Sequence, residues 1–335
     1  MSRAEIGLGI QSDKAPGAYG PLAAGAERHG IDVVSVFSDL LFQPPIAALL
    51  EMAAATSRVR LGAACWNPYS LHPYEIAGQV AALDAASDGR AYLGLAKGTW
   101  LDAIGLRQTK PVAHLREAAG HIYALLSGEG AGFEGEIYPL APGVALRYPV
   151  RRARPPLLIG AWGPLGAALA GRIADELKVG GTANPAMVPV MRERIGVGAQ
   201  KAGRSAQDVK LVLGAVTVVD RDGRAARSAA RREVAMYLAA VADLDPTVEL
   251  PDDLLESVRR LVGEGDDQAA GDRIPDDVLD LFAFSGTPEH VAEQAQSLID
   301  AGADRVDFGT PQGLTDAGGI DLIGTAVMPL LKLDR

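Results

Sequence analysis

Short runs of β-branched and aliphatic residues alternate along this chain with longer, alanine-rich ones. The short runs predict strands over 5–10, 31–37, 58–64, 91–96, 156–160, 174–179, 210–219 and 304–309. The longer runs predict helices over 19–29, 43–55, 73–87, 112–127, 164–172, 185–202, 223–242 and 288–301. Strand then helix, eight times over, is the pattern of parallel strands covered by helices. Eight such units in 335 residues predict an α/β fold, a closed (β/α)8 TIM barrel with insertions, whose closure leaves no sheet edge exposed. We expect a single barrel domain over 1–335, with an insertion or lid at 243–285 that includes the acidic, glycine-rich stretch 262–272. The rival architecture is an open doubly wound sheet binding a dinucleotide. It lacks its glycine fingerprint, because Gly7 and Gly9 lie inside the first strand and the turn after it is Gln11-Ser12-Asp13-Lys14.

Several boundaries have local causes. Pro111 and Pro288 stand at first helical positions, where a missing N–H leaves no donor unpaired, and Thr287 is placed to cap the second of these helices. Gly302 accepts the left-handed conformation that stops a helix.

Composition narrows the picture. With 48% hydrophobic residues, 5% aromatic and 39 glycines, the core is built from Ala, Val, Leu and Ile, with close backbone approaches. The net charge is -10 and no basic block is present, which argues against a nucleic-acid partner; the arginines within 147–154 form a short run broken by Pro149. No stretch of 18 residues is apolar throughout, so no membrane span is expected. The first residues run straight into Ile6-Gly7-Leu8-Gly9-Ile10 without a charged leader, so no secretory signal and a cytoplasmic location are expected. Cys65 is the single cysteine, excluding an intramolecular disulfide and a cysteine metal cluster, and the five histidines lack ligand spacing, so no metal site is expected.

In a parallel barrel, ligands are handled at the C-terminal rim. That rim collects Gln11 after the first strand, Asp39 after the second, Cys65 and Asn67 after the third, and Lys97, Thr99 and Trp100 after the fourth. Gly160, Ala161 and Trp162 follow the fifth strand, and Gly180, Gly181 and Thr182 the sixth. The turn from Gly160 to Pro164 opens a short helix. It is either an anion site of backbone N–H groups at a helix start or a tight turn that needs glycine for shape. The turn at 180–182 offers similar donors and a hydroxyl, and two such turns on one rim favour a phosphate-bearing cofactor. The small side chains of Ala63, Ala64 and Cys65 could let a flat ring approach the backbone. Cys65 as a nucleophile would need an activating partner, so a packing role is the simpler reading. Trp100 and Trp162 either wall a pocket for an aromatic ligand or belong to the core.

Five phrases then carry a family resemblance: RVRLGAACWNPYSLHP at 58–73, ALDAASDGRAYLGLAKG at 82–98, KPVAHLREAAGHIYALLSGE at 110–129, LLIGAWGPLGAALAGRIADE at 157–176, and FAFSGTPEHVAEQAQSLIDAGADRVDFGTP at 282–311. In this order they resemble the luciferase-like monooxygenase superfamily, and its coenzyme F420-dependent branch typified by methylenetetrahydromethanopterin reductase. The resemblance implies a (β/α)8 barrel binding a deazaflavin or flavin at its C-terminal rim, and a homodimer. It implies that Ala64–Cys65 is a bulge with a non-proline cis peptide behind the ring. Asp39 and Asn67 would lie beside the cofactor, with Gly160, Ala161, Gly163, Gly180 and Gly181 along its ring and phosphate-bearing tail. Gln11 stands where the reductases carry a Glu, Thr99 where they often carry an Asp, and Leu40 and Lys97 where a His and a small residue are expected. These departures leave Asp39 as the leading proton-handling residue, with Gln11 and Thr99 as hydrogen-bonding groups. The function implied is an F420-dependent oxidoreductase passing hydride to or from a small organic substrate. The alternatives are an FMN-dependent monooxygenase supplied with reduced flavin by a partner reductase, and a barrel that binds without turnover.

Overall fold

A computed structural model describes residues 3–334. Its elements run in the order β1 (Glu5–Ile10), α1 (Tyr19–Arg28), β2 (Val33–Val36), α2 (Pro45–Ala55), β3 (Arg60–Ala63), α3 (Pro73–Ala86), β4 (Leu93–Ala96) and α4 (Pro111–Ser127). There follow β5 (Leu157–Gly160), α5 (Pro164–Ile173), β6 (Glu176–Gly180), α6 (Met187–Lys201), β7 (Lys210–Val219) and α7 (Gly223–Val241). The last third holds α8 (Asp252–Gly263), α9 (Asp267–Asp272), α10 (Asp276–Phe282), β8 (Ala283–Gly286), α11 (Pro288–Ala301), β9 (Arg305–Gly313) and α12 (Asp316–Leu322). Helices α2, α3, α4, α5 and α11 each begin on a proline, whose fixed φ turns the chain from a rim loop into a helix.

The strands are parallel and run β3-β2-β1-β9-β7-β6-β5-β4. Bridges from Leu61 to Ala91 and from Trp66 to Leu95 join the two ends, closing the barrel as the sequence predicts. Two details differ from that expectation. The four residues of β8 form a ninth strand, and the last strand runs on to Gly313. Because β9 lies along one edge of β7, β8 takes the other edge at Val216–Val219, beyond the end of β6 at Gly214.

Alternation sorts the strand residues. Ile6, Leu8, Val34, Val36, Leu61, Leu93, Ile159, Leu177, Leu213, Val306 and Phe308 face outward into one large core shared with the helices. The intervening positions face the axis, where large and small side chains alternate as a barrel interior requires. A Cβ on Gly9 would lie 2.4 Å from the Phe37 ring, and one on Gly62 would lie 2.6 Å from the Tyr92 ring, so each glycine makes room for an aromatic neighbour. A second core fills 243–285: Ala230, Val234 and Leu238 of α7 pack with Leu255, Val258 and Leu261 of α8 and with Val278, Leu279 and Phe282 of α10.

Candidate active site at the barrel mouth

The third strand creates the floor of the mouth. Between its two bridges the β3 side advances five residues, Leu61 to Trp66, while the β4 side advances four, Ala91 to Leu95. The extra residue makes a bulge. The Ala64–Cys65 peptide is cis, and a Cβ on Gly94 would lie 2.0 Å from the Ala63 carbonyl oxygen, so only glycine lets the bulged chain lie against β4. Beside the bulge stands Gly160, where an added Cβ would come 3.2 Å from the Cys65 sulfur and 3.1 Å from the Ala96 Cβ. Cys65 is half-buried, and its burial pushes the thiol up to about 12, so it is a neutral packing group at physiological pH.

Beside the bulge, beyond the ends of the adjoining strands β1 and β2, Gln11 and Asp39 form a pair. The Ser12 N–H donates to Gln11 Oε1 at 2.9 Å, which turns the Gln11 amide so that its Nε2 donates to Asp39 Oδ2 at 2.9 Å. Burial raises the pKa of Asp39, and the Gln11 hydrogen bond only partly opposes this. Asn67 is buried, but its Oδ1 accepts the Ser70 N–H at 2.9 Å and the Ser70 hydroxyl at 3.0 Å. It braces its own loop. Thr99 is exposed on the loop after β4, and no hydrogen bond joins it to Asp39 or Gln11.

The two glycine turns differ from one another. The Gly181 and Thr182 amides both donate to the Gly214 carbonyl, at 2.7 and 3.1 Å, so this turn lacks the free donors that its sequence suggests. The Trp162 indole donates to the Gly180 carbonyl at 2.8 Å and ties the turns together. The start of α5 is different: Gly163 is its N-cap, and no side chain caps the amides that follow. An added Cβ on Gly163 or Gly180 would touch nothing within 4 Å. The fold itself demands glycine at neither position, whereas a ring and phosphate chain laid across them would.

Two contributors lie outside the strand-end residues singled out by sequence. Tyr237, near the end of α7, packs edge-on against Trp100 with ring centroids 6.3 Å apart, and Val241 one turn later lies against Gly181. The second half of α7 therefore lies over the mouth. Burial, with the nearby Asp39, Glu233 and Asp13 carboxylates, pushes the Tyr237 hydroxyl well up. The other contributor is Lys178, buried inside the barrel with its ammonium paired to Asp307 and 5.9 Å from the Phe37 ring centroid.

A closed parallel barrel with a bulged third strand and a glycine-lined mouth is a (β/α)8 barrel with a ligand site at its C-terminal rim. The chain belongs to the luciferase-like monooxygenase family, whose profile matches residues 2–305. Within that class it is similar to a 5,10-methylenetetrahydromethanopterin reductase of Archaeoglobus fulgidus, 32% identical over 92% of this chain and 93% of that one. It is also similar to an F420-dependent glucose-6-phosphate dehydrogenase of Nakamurella multipartita, 28% identical over 95% of this chain and 93% of that one. The solved structure of the coenzyme F420-dependent tetrahydromethanopterin reductase of Methanopyrus kandleri superposes with a TM-score of 0.87, at 25% identity, covering 99% of this chain and all of that one.

Proposed function

We propose that this protein is an F420-dependent oxidoreductase that passes hydride between the deazaflavin and a small organic substrate held over it at the barrel mouth. The observation that carries the reading is the floor: a bulged, glycine-backed strand end beside the Asp39–Gln11 pair, in a chain whose relatives over nearly its full length use F420. Ala64, Cys65 and Gly160 would back the ring, with Asn67 shaping the loop beside it. Ala161, Gly163, Gly180 and Gly181 would line the tail, with the uncapped start of α5 receiving its phosphate. When bound, the cofactor supplies the hydride chemistry at its C5 carbon.

The chain's own residues orient and exclude water. Asp39 Oδ2 is held by Gln11, leaving Oδ1 to hold or release a proton, and its raised pKa suits that task nearer neutrality than an ordinary carboxylate. Trp100 and Tyr237 close the substrate side. By the family resemblance Gln11 stands where the pterin reductases carry a Glu and Thr99 where they often carry an Asp, which favours a substrate other than methylenetetrahydromethanopterin, with a C=C, C=N or alcohol group at the reacting centre. The reading carries with it a homodimer and a cytoplasmic location. Among the described residues no helix is long and apolar enough to cross a membrane.

Titrating purified protein with F420 and with FMN tests the reading. Micromolar or tighter F420 binding and weaker FMN binding are expected, and a preference for FMN would move the chain to the flavin monooxygenases. Gly163→Val should weaken F420 binding at least about tenfold without lowering the melting temperature, because its side chain meets nothing in the protein. Unchanged affinity would place the phosphate elsewhere.

A further inference from the structure

Inside the barrel, beneath the mouth, the inward positions of β6 and β9 are charged. Arg305 donates to Glu176 at 2.5 Å and to Asp307 at 2.8 Å, and Asp307 also accepts from Lys178. Glu176 continues the chain to Arg60 at 2.6 Å, Arg60 to Glu5 at 2.7 Å, and Glu5 to Lys210 at 2.5 Å. The column thus alternates in sign and ends in a cation at both ends. Its lower end is wet: the side chains of Lys210 and Arg60 keep 44% and 26% of their exposure. Its upper end is dry, with Lys178 at 8% and Asp307 at 1%, so charge there is weakly screened. Stability does not call for this arrangement, because well-packed apolar side chains are commonly as good as a buried ion pair. Above Lys178 lie Phe37 and the floor of the mouth, where its charge acts on the Cys65 thiol.

We propose that Lys178, at the head of this column, is the counter-ion for the anionic ring of a deazaflavin bound on the Cys65 floor. The inference rests on the F420 reading above. The chromophore of F420 is an 8-hydroxy-5-deazaflavin, a phenol conjugated through its ring to the pyrimidine carbonyl. Its anion is spread over the whole ring system, so a cation beneath the floor stabilises it whichever edge lies nearest. Ionisation of that phenol is visible as a change in absorption.

The charged groups facing Lys178 come from β9, where Asp307 partly offsets its charge and Arg305 stands behind. From the bulge just beyond β3 comes the neutral Cys65 thiol, and behind it lies the neutral Tyr92 hydroxyl, which donates to Ser35 at 2.7 Å. The Asp39, Glu233 and Asp13 carboxylates near Tyr237 at the mouth oppose the anion, and burial shifts Asp39 toward its neutral form. Lys178 therefore acts by position and charge, not by contact with reacting atoms.

The test follows the absorbance of bound F420 against pH in the wild type, Lys178→Met, Lys178→Arg and Asp307→Asn, with circular dichroism confirming the fold of each. The wild type should hold the chromophore ionised at least about one pH unit below free F420, a tenfold change in the equilibrium. Lys178→Met should lose that difference, Lys178→Arg should keep it, and Asp307→Asn should enlarge it. Bound chromophore that ionises at the same pH in the wild type and in Lys178→Met overturns the proposal. If Lys178→Met fails to fold, an unmoved ionisation in Asp307→Asn overturns it instead. Failure of the wild type to bind F420 at all would sink the cofactor reading, a separate result from either of these.

Discussion

Removing Glu176 should destabilise this barrel more than removing Arg305, although Arg305 is the more deeply buried of the two. Breaking a buried ion pair by taking one partner costs ~3–5 kcal/mol, because the other charge is left uncompensated. In Arg305→Met no carboxylate is orphaned: Glu176 keeps Arg60 at 2.6 Å and Asp307 keeps Lys178. That variant belongs at the low end of the range, ~3 kcal/mol. In Glu176→Met, Arg305 keeps Glu5 at 3.7 Å and shares Asp307 with Lys178, so Asp307 and Glu5 face Lys178, Arg305, Arg60 and Lys210, and positive charge is in excess inside the barrel. Its cost belongs at the high end, ~5 kcal/mol. At ~2 °C per kcal/mol for a chain of this size, the melting temperatures should fall by about 6 and 10 °C.

Acid adds a second reading. Burial alone would raise the Glu176 pKa, but Arg305 and Arg60 outweigh it and hold the group at about 2, against 4.5 for a free glutamate. A depressed folded pKa gives stability that is present above pH 4.5 and lost as the pH falls from there toward 2. Glu176→Met should lose that part of the acid sensitivity. Urea unfolding at pH 7 and at pH 3.5 measures both effects. Arg305→Met proving as costly as Glu176→Met, or both costing under ~1 kcal/mol as a surface pair would, refutes the charge accounting.

Asp39→Asn should lower turnover at least about tenfold, a small effect for a general acid–base group, with F420 affinity nearly intact. Equal loss of both would make Asp39 a cofactor ligand, and loss of neither would remove it from the chemistry. Cys65 should resist thiol reagents: its thiol is pushed from 9.0 up to about 12, so at pH 8 the folded protein should react at least about tenfold more slowly than the urea-unfolded chain, the greater nucleophilicity of a more basic thiolate offsetting part of the lost thiolate fraction. Comparable rates in the two states would overturn its packing role.

The eightfold strand–helix alternation was legible because outward strand positions are aliphatic and the helices between them are long and alanine-rich. Strand β8 was not legible. Its four residues, Ala283 to Gly286, lie between α10 and the Thr287–Pro288 helix start, too short a run to show a period. The charged column leaves a trace in the sequence. Glu176 and Lys178, like Arg305 and Asp307, stand two apart within strands, which places each pair on one face. A search for aliphatic runs treats such residues as interruptions. Read at period two, they mark an interior that is polar where most barrels are apolar.

The site divides along a similar line. Gln11 and Asp39 could be placed together because Gln11 follows directly on β1 and Asp39 stands three residues past β2, and neighbouring strands of a closed barrel bring those ends side by side. The donors of Gly181 and Thr182 could not be judged from sequence, since their use depends on the Gly214 carbonyl of the adjacent strand. Tyr237 lay further out of reach. It sits in a helix that looks like any other barrel helix, and what places its last turns at the mouth is the second core, where α8, α9 and α10 pack on the α7 face that bears Ala230, Val234 and Leu238. Strand-end position therefore identifies the residues that a parallel barrel delivers to its rim by topology. A residue delivered by an inserted segment is found only by asking what that segment packs against, and here the answer sets Tyr237 against Trp100 at the barrel mouth.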